Sequence, residues 1–258
     1  MTNHTATYYQ THYAQRSRTT TAASPFRWLR YAWQDLTAAP LISAFLGTSF
    51  TILCVLAYLA ASSVPQFSAS ILVFVLMVSP FIAAAAYCVV RTREQEERPT
   101  LHACFAMTRN RSASIALFSL LCALVVAAWV RLTSVTFALY YGTLGTSAAD
   151  VARVWTAGDG ASAMLVFLLS ASVVLALTLF ALGAIALPLI ADRNCNVVDA
   201  VRIGLRTLRE NSTTMLVWML LLVAVIGSAL ASGLILMPLV FPLLAYATWH
   251  SYRQLVAS

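Results

Sequence analysis

The sequence predicts an all-α, polytopic membrane bundle. It has six transmembrane helices in three parallel repeats, each a short amphipathic helix followed by a transmembrane hairpin. Three observations predict this. First, 60% of the 258 residues are hydrophobic and 10% are charged, with a mean hydropathy of +0.80; a water-soluble globule of this size cannot bury so much apolar surface. Second, one short frame recurs. Leu29, Trp33 and Leu36 precede Pro40, Leu101, Phe105 and Thr108 precede Ser112, and Val201, Leu205 and Leu208 precede Ser212. The 4,3 spacing places each trio on one stripe of a helix, and Arg30, His102 or Arg202 follows the first apolar position each time. Third, most of the basic residues, all Arg, flank the apolar runs.

In chain order, residues 1–24 are rich in Thr, Tyr and Gln and contain no apolar run, so the expectation is a disordered polar tail without a cleavable secretory signal. His4 and His12 lie in that tail and are read as solvated. One membrane domain follows over residues 25–256, with repeats at about 26–90, 101–190 and 197–253. Phe26 to Leu36 is the first amphipathic helix, with Trp28 and Trp33 suited to the headgroup region. Leu41 to Ser62 and Ala69 to Val90 each have the roughly 20 apolar residues that a bilayer core of about 30 Å requires. Pro80 removes a backbone hydrogen bond in the second span, and Ser79 beside it is placed to satisfy the freed carbonyl.

The segment from Arg91 to Arg111 carries the densest charge. Its Glu94, Glu96 and Glu97 suggest a metal or paired-carboxylate site, but acids mixed with Arg at a helix end read as a solvated face. His102 has no second ligand at helical spacing and reads as packing or headgroup contact. The third span is expected from Ala113 to Thr133, with Arg131 snorkelling to the interface or, in the functional alternative, serving as a substrate counter-ion. Residues 135–160 form the longest connection, with Ser147 opening a short surface helix through Asp150, Arg153 and Trp155. Ala161 to Ile190 exceeds one straight span and should tilt, bend or continue beyond the bilayer, with Gly183 and Pro188 as the places. A third amphipathic helix, Val197 to Arg209, puts Asp199, Arg202, Arg206 and Arg209 on one stripe and Val201, Leu205 and Leu208 on another. The stretch from Thr213 to Trp249, interrupted by Gly227 and Gly233, fits two short spans joined by a minimal turn. Pro238 and Pro242 bend the second of them, and Trp249, His250, Tyr252 and Arg253 form an aromatic and basic collar.

Charge orients the six spans. On this topology every Arg except Arg131 and Arg153 falls on the same face as the termini. The positive-inside rule therefore puts both termini and the three amphipathic helices in the cytoplasm. Cys54, Cys88, Cys104, Cys122 and Cys195 show no CxxC pair, which argues against a disulfide framework or zinc site.

Trp33-x-Asp35 with Pro40 at the head of the first span, together with Ala247-x-Trp249-His250-x-Tyr252-Arg253 at the close, resembles the predicted integral membrane family known as domain of unknown function 2189. The resemblance covers roughly residues 26–256. It implies a bacterial inner-membrane protein. Some relatives are labelled cytochrome c oxidase components, but haem ligation requires ligands within the bilayer, and the four His residues lie at or beyond its interfaces.

For function, the sequence favours a non-catalytic scaffold, assembly factor or accessory subunit: the spans carry no ionisable group near the midplane, and three cytoplasmic helices are available to hold a partner or the bilayer. The alternative is a transporter or channel for a neutral or lipophilic solute, permitted by parallel repeats and by Thr48, Ser49, Thr51 and Ser79 in the spans. An intramembrane enzyme would need a convergent nucleophile, base and metal ligands, and the spans supply almost only hydroxyls and thiols. No catalytic, cofactor or metal residue is assigned. The expected partners are the lipid bilayer and other membrane proteins, not nucleic acid, since the Arg residues have a topological explanation. Arg30, Arg202, Arg206 and Arg209, with Trp33, His250 and Arg253, are the candidates for contact with anionic lipid or a partner.

Overall fold

The computed structural model describes residues 21, 23–64, 67–141, 161–193 and 195–256. The expected tail up to residue 20 and the surface helix at Ser147 to Trp155 lie outside them. Ten α-helices are described: α1 (Ser24–Ala38), α2 (Pro40–Ser63), α3 (Ser68–Glu94), α4 (Leu101–Asn110), α5 (Ser112–Tyr141), α6 (Ala161–Gly183), α7 (Ala186–Asp192), α8 (Val197–Glu210), α9 (Ser212–Ala231) and α10 (Met237–Leu255).

Three short helices each lead into a long one across a single residue. The breaks fall at Ala39, Arg111 and Asn211, and the long helices start at Pro40, Ser112 and Ser212. Pro40 can open α2 because the first turn needs no N–H donor. The buried stripe lies one position before the expected one on α1 (Trp28 and Ala32) and α8 (Ala200, Gly204 and Thr207), whereas on α4 Cys104 replaces Phe105 and Thr108 is buried as expected. Leu29, Leu36, Val201 and Leu208 are only half-buried, and Trp33 and Phe105 are exposed. Small residues take the closest contact because backbones approach there; Gly204 faces Ile185 and the Ala186 backbone. The first helix also begins earlier than expected, with Ser24 and Pro25 already buried.

Five helical stretches are long and apolar enough to cross a membrane: α2, α3, Ser112–Leu139 of α5, Ala163–Asp192 across α6 and α7, and α9. The expected sixth span corresponds to α10, which is less apolar because Thr248, His250, Ser251, Arg253 and Gln254 fall within it. It packs against α1, α2, α3, α7 and α9, so protein surrounds much of it. Trp249, Tyr246 and Tyr252 are fully buried.

The prolines act through the carbonyls they leave free. Pro80 has no N–H for Leu76 four residues back, and the Ser79 hydroxyl donates to that Leu76 carbonyl at 3.3 Å. Pro188 would set its ring against the carbonyl of Ala184, and the chain breaks there, between Gly183 and Ala186. Pro242 frees the carbonyl of Pro238, where α2 comes closest: a Cβ at Gly47 would overlap the Pro238 carbonyl oxygen. α9 ends as the glycine at 233 suggested. Gly233 has φ +65°, its N–H bonds to the Leu230 carbonyl, and the Leu234 N–H reaches back to Ala229. This is a Schellman closure that needs a left-handed residue after the cap. Gly233→Ala is expected to destabilise the protein by about 1 kcal/mol, read as a lower melting temperature in detergent with unchanged helix content.

Arg131 is exposed. It lies about 29 Å along α5 from Ser112 at 1.5 Å per residue, near the far edge of a bilayer core of about 30 Å. That depth suits snorkelling, not a buried counter-ion.

Candidate functional site

The last turns of α10 carry Trp249, His250, Tyr252, Arg253 and Gln254. At 100° per residue, positions 249 and 253 share one side, 250 and 254 lie about 100° around from it, and 252 faces the other way. Each direction meets a different element. On the first side, Trp249 Nε1 donates to Glu94 Oε1 at 3.1 Å, and Arg253 Nε lies 3.1 Å from Glu94 Oε2, at the end of α3. On the second, His250 Nε2 lies 2.6 Å from Asp35 Oδ2, and Trp28 Nε1 donates to Gln254 Oε1 at 2.5 Å, both on α1. On the third, Tyr252 Oη donates to Asp192 Oδ2 at 2.7 Å, at the end of α7.

Arginines close the network between the carboxylates. Arg93 pairs with Asp35, Arg91 lies 3.5 Å from Asp192, and Arg253 also reaches Asp192 at 3.9 Å. The Asp35 and Asp192 side chains are 14% and 12% exposed, so solvent screens them less than a surface pair. Aromatic rings fill the space beneath: Trp249 meets Tyr252 at 5.5 Å and Tyr87 at 6.0 Å, and the Arg253 guanidinium sits 6.0 Å from the Trp249 ring.

This arrangement fastens four chain segments at one end of the bundle. Asp35 and His250 have the residue types of an acid–base dyad, but Arg93 shares Asp35, and no hydroxyl or thiol hydrogen-bonds to His250 among the described residues. No group of three or more His, Cys, Asp or Glu suited to hold a metal occurs among the described residues.

Of the candidates from sequence, His250 and Arg253 belong to this network. The others do not join it. Arg30, Arg209 and Trp33 are exposed, while Arg202 pairs with Asp199 at 3.5 Å and Arg206 with Glu210 at 2.7 Å along the outer face of α8. Water screens such exposed pairs, so they add little to stability. Glu94 is exposed like Glu96 and Glu97, as a solvated face requires, and its carboxylate also bonds Trp249 and Arg253. Asp35, Asp192, Arg91, Arg93 and Tyr252 also carry the network. The signal for them was scarcity: the chain has 9 acidic residues against 16 basic ones, and three of the acids stand at helix ends beside apolar runs.

The structure also brings together Cys88 and Cys104, on the consecutive helices α3 and α4. The Cys104 thiol is raised above its ordinary range, chiefly by a hydrogen bond with Cys88 and then by burial. Cys195, between α7 and α8, is pushed up from about 9 to about 11, mainly by burial. Its neutral thiol contributes stability that is full below the unfolded value near 9 and is lost as pH rises towards 11. The expected result is an alkaline fall in melting temperature between those limits that Cys195→Ala reduces.

The family described as predicted integral membrane protein (DUF2189) matches the chain over residues 67–192. The match runs from the start of α3 to the end of α7. It is shorter than the resemblance read from residues 26–256 and lies between the two motifs that carried that resemblance. No curated protein and no solved structure matches the chain.

Proposed function

We propose that this integral membrane protein is a non-catalytic scaffold, assembly factor or accessory subunit of a membrane complex, with six spans in a bacterial inner membrane and both termini in the cytoplasm. The observation that carries the reading is the network at the end of α10. It ties Asp35, Glu94 and Asp192 to one helix and leaves the outer faces of α1, α4 and α8 available to a partner. A fastened bundle whose centre is filled by Trp28, Tyr246, Trp249 and Tyr252 favours a rigid platform over a conduit.

Parity supports the sixth span. The N-terminal helix α1 and the end of α10 are hydrogen-bonded at Trp28–Gln254 and paired at Asp35–His250, so both ends lie on one side of the membrane. An odd number of crossings would separate them, and five stretches are apolar enough to span; α10, sheltered by its neighbours, supplies the even number. The one-residue breaks at 39, 111 and 211 support three parallel units, each entering the membrane in the same sense. The Arg distribution supports a cytoplasmic position for the shared side.

The test is a mild-detergent pull-down of the tagged protein from its native membrane, with mass spectrometry of proteins and small molecules together. A stoichiometric membrane-protein partner is expected. Recovery alone, or with only a specific lipophilic solute, would overturn the scaffold reading in favour of transport.

A further inference from the structure

A lateral cleft of about 380 Å³ opens between α2, α3 and α4. Its walls include Phe45 and Leu46 of α2, Phe81 and Ile82 of α3, and Phe105 of α4. Two of the three hydroxyls that border it are already used: Ser49 donates to the Phe45 carbonyl at 2.8 Å, and Thr108 to the Cys104 carbonyl at 2.9 Å, leaving Ser112 at the start of α5. The cleft therefore offers hydrocarbon contact and almost nothing to a polar solute. Its one charged lining residue is Arg109, at the end of α4. Arg91, Arg93, Arg202, Arg206 and Arg253 all reach acids, whereas the exposed Arg109 side chain has no hydrogen bond or ion pair among the described residues.

Depth matches charge to apolar surface. Phe45 and Ser49 lie about 8 and 13 Å along α2 from Pro40 at 1.5 Å per residue, within the half-thickness of a bilayer core of about 30 Å. Arg109 stands one break before α5 enters the membrane. A volume of 380 Å³ falls within the range of roughly 300–1,000 Å³ for small-ligand pockets.

We infer that this cleft is a binding site for one anionic phospholipid of the cytoplasmic leaflet, with an acyl chain among Phe45, Phe81 and Phe105 and the phosphate at Arg109. The site takes a lipid by its two-part chemistry: an apolar trough as long as part of one chain and an uncompensated guanidinium at the headgroup level. It stands apart from Arg202 and Arg206 on α8, whose charge Asp199 and Glu210 partly offset. It rests on the membrane orientation proposed above and holds whatever partner the protein has.

The test reconstitutes the full chain in nanodiscs of equal phosphatidylglycerol and phosphatidylcholine, releases it, and reads retained lipid by native mass spectrometry. The wild type is expected to keep one phosphatidylglycerol per chain, enriched about fivefold over phosphatidylcholine, the factor for one Arg at an anionic leaflet. Arg109→Gln changes an exposed side chain, so folding is spared, and it should bring the ratio near one. Ser49→Trp should fill the trough and expel both lipids, while Arg202→Gln with Arg206→Gln should leave retention unchanged. Equal retention of the two lipids by the wild type, enrichment that survives Arg109→Gln, or a lipid-free dimer closed over the cleft would each overturn the proposal. The scaffold reading turns on a stoichiometric protein partner in the pull-down and this site on the lipid ratio from nanodiscs, so either can fail without the other.

Discussion

Asp192→Asn is expected to destabilise the protein by about 2–3 kcal/mol. Breaking a buried ion pair costs roughly 3–5 kcal/mol because it leaves a charge uncompensated. The lower figure applies because Arg91 and Arg253 are 32% and 42% exposed and can be partly solvated. Asp192 is the most connected acid of the network, receiving Tyr252 at 2.7 Å and lying within 4 Å of Arg91, Arg193 and Arg253. The check is a melting curve in detergent, with helix content followed by circular dichroism. Tyr252→Phe alone removes one hydroxyl and should cost about 1 kcal/mol. The double variant should lose less than the sum, because both changes break the same bond. Additive losses would mean that the two residues act separately.

Gly47→Ala should cost at least as much as a typical overpacked core, about 1–3 kcal/mol. The added methyl would strike backbone, the Pro238 carbonyl, and no rotamer change can relieve that. α2 and α10 must then separate, disturbing the bond of 2.8 Å between Ser43 Oγ and Tyr246 Oη and the Phe50–Phe241 stack at 4.1 Å. Gly227→Ala is the matched control. It lies within α9 with nothing within 4 Å of an added Cβ, so the same change should be neutral or raise stability by up to about 1 kcal/mol through helix propensity. Opposite signs for the two substitutions, measured as shifts in melting temperature, would separate close helix approach from a general effect of glycine replacement.

Helix positions were legible because hydrophobic length and Pro or Gly punctuation are local. The break near Gly183, the turn at Gly233 and the role of Ser79 beside Pro80 all follow from short-range chemistry, whereas α5 runs on to Tyr141, past the expected end at Thr133 and into the expected connection. Which face of each short helix is buried was not legible. The 4,3 apolar spacing pointed to Leu29, Leu36, Val201 and Leu208, but closest packing selects small side chains such as Ala32, Ala200 and Gly204, which a hydrophobic pattern ranks low. α10 illustrates the same limit: its aromatic and basic collar was legible, but not that Trp249 and Tyr252 are fully buried against protein. The network was half legible. The motifs around Asp35 and Trp249 to Arg253 stood out as words, but their pairing joins residues more than 200 positions apart. No periodicity encodes that.

The most direct measurement is two-sided labelling of single cysteines, placed at Arg30, Arg202 and Gln254 in a cysteine-free background, with a membrane-impermeant maleimide. It is done on right-side-out and inside-out vesicles. If Trp28 meets Gln254 and Asp35 meets His250 across an even number of spans, all three positions label only in inside-out vesicles. Labelling of Gln254 from the side opposite Arg30 would make α10 a helix that does not cross, separate the two halves of the network, and contradict the account.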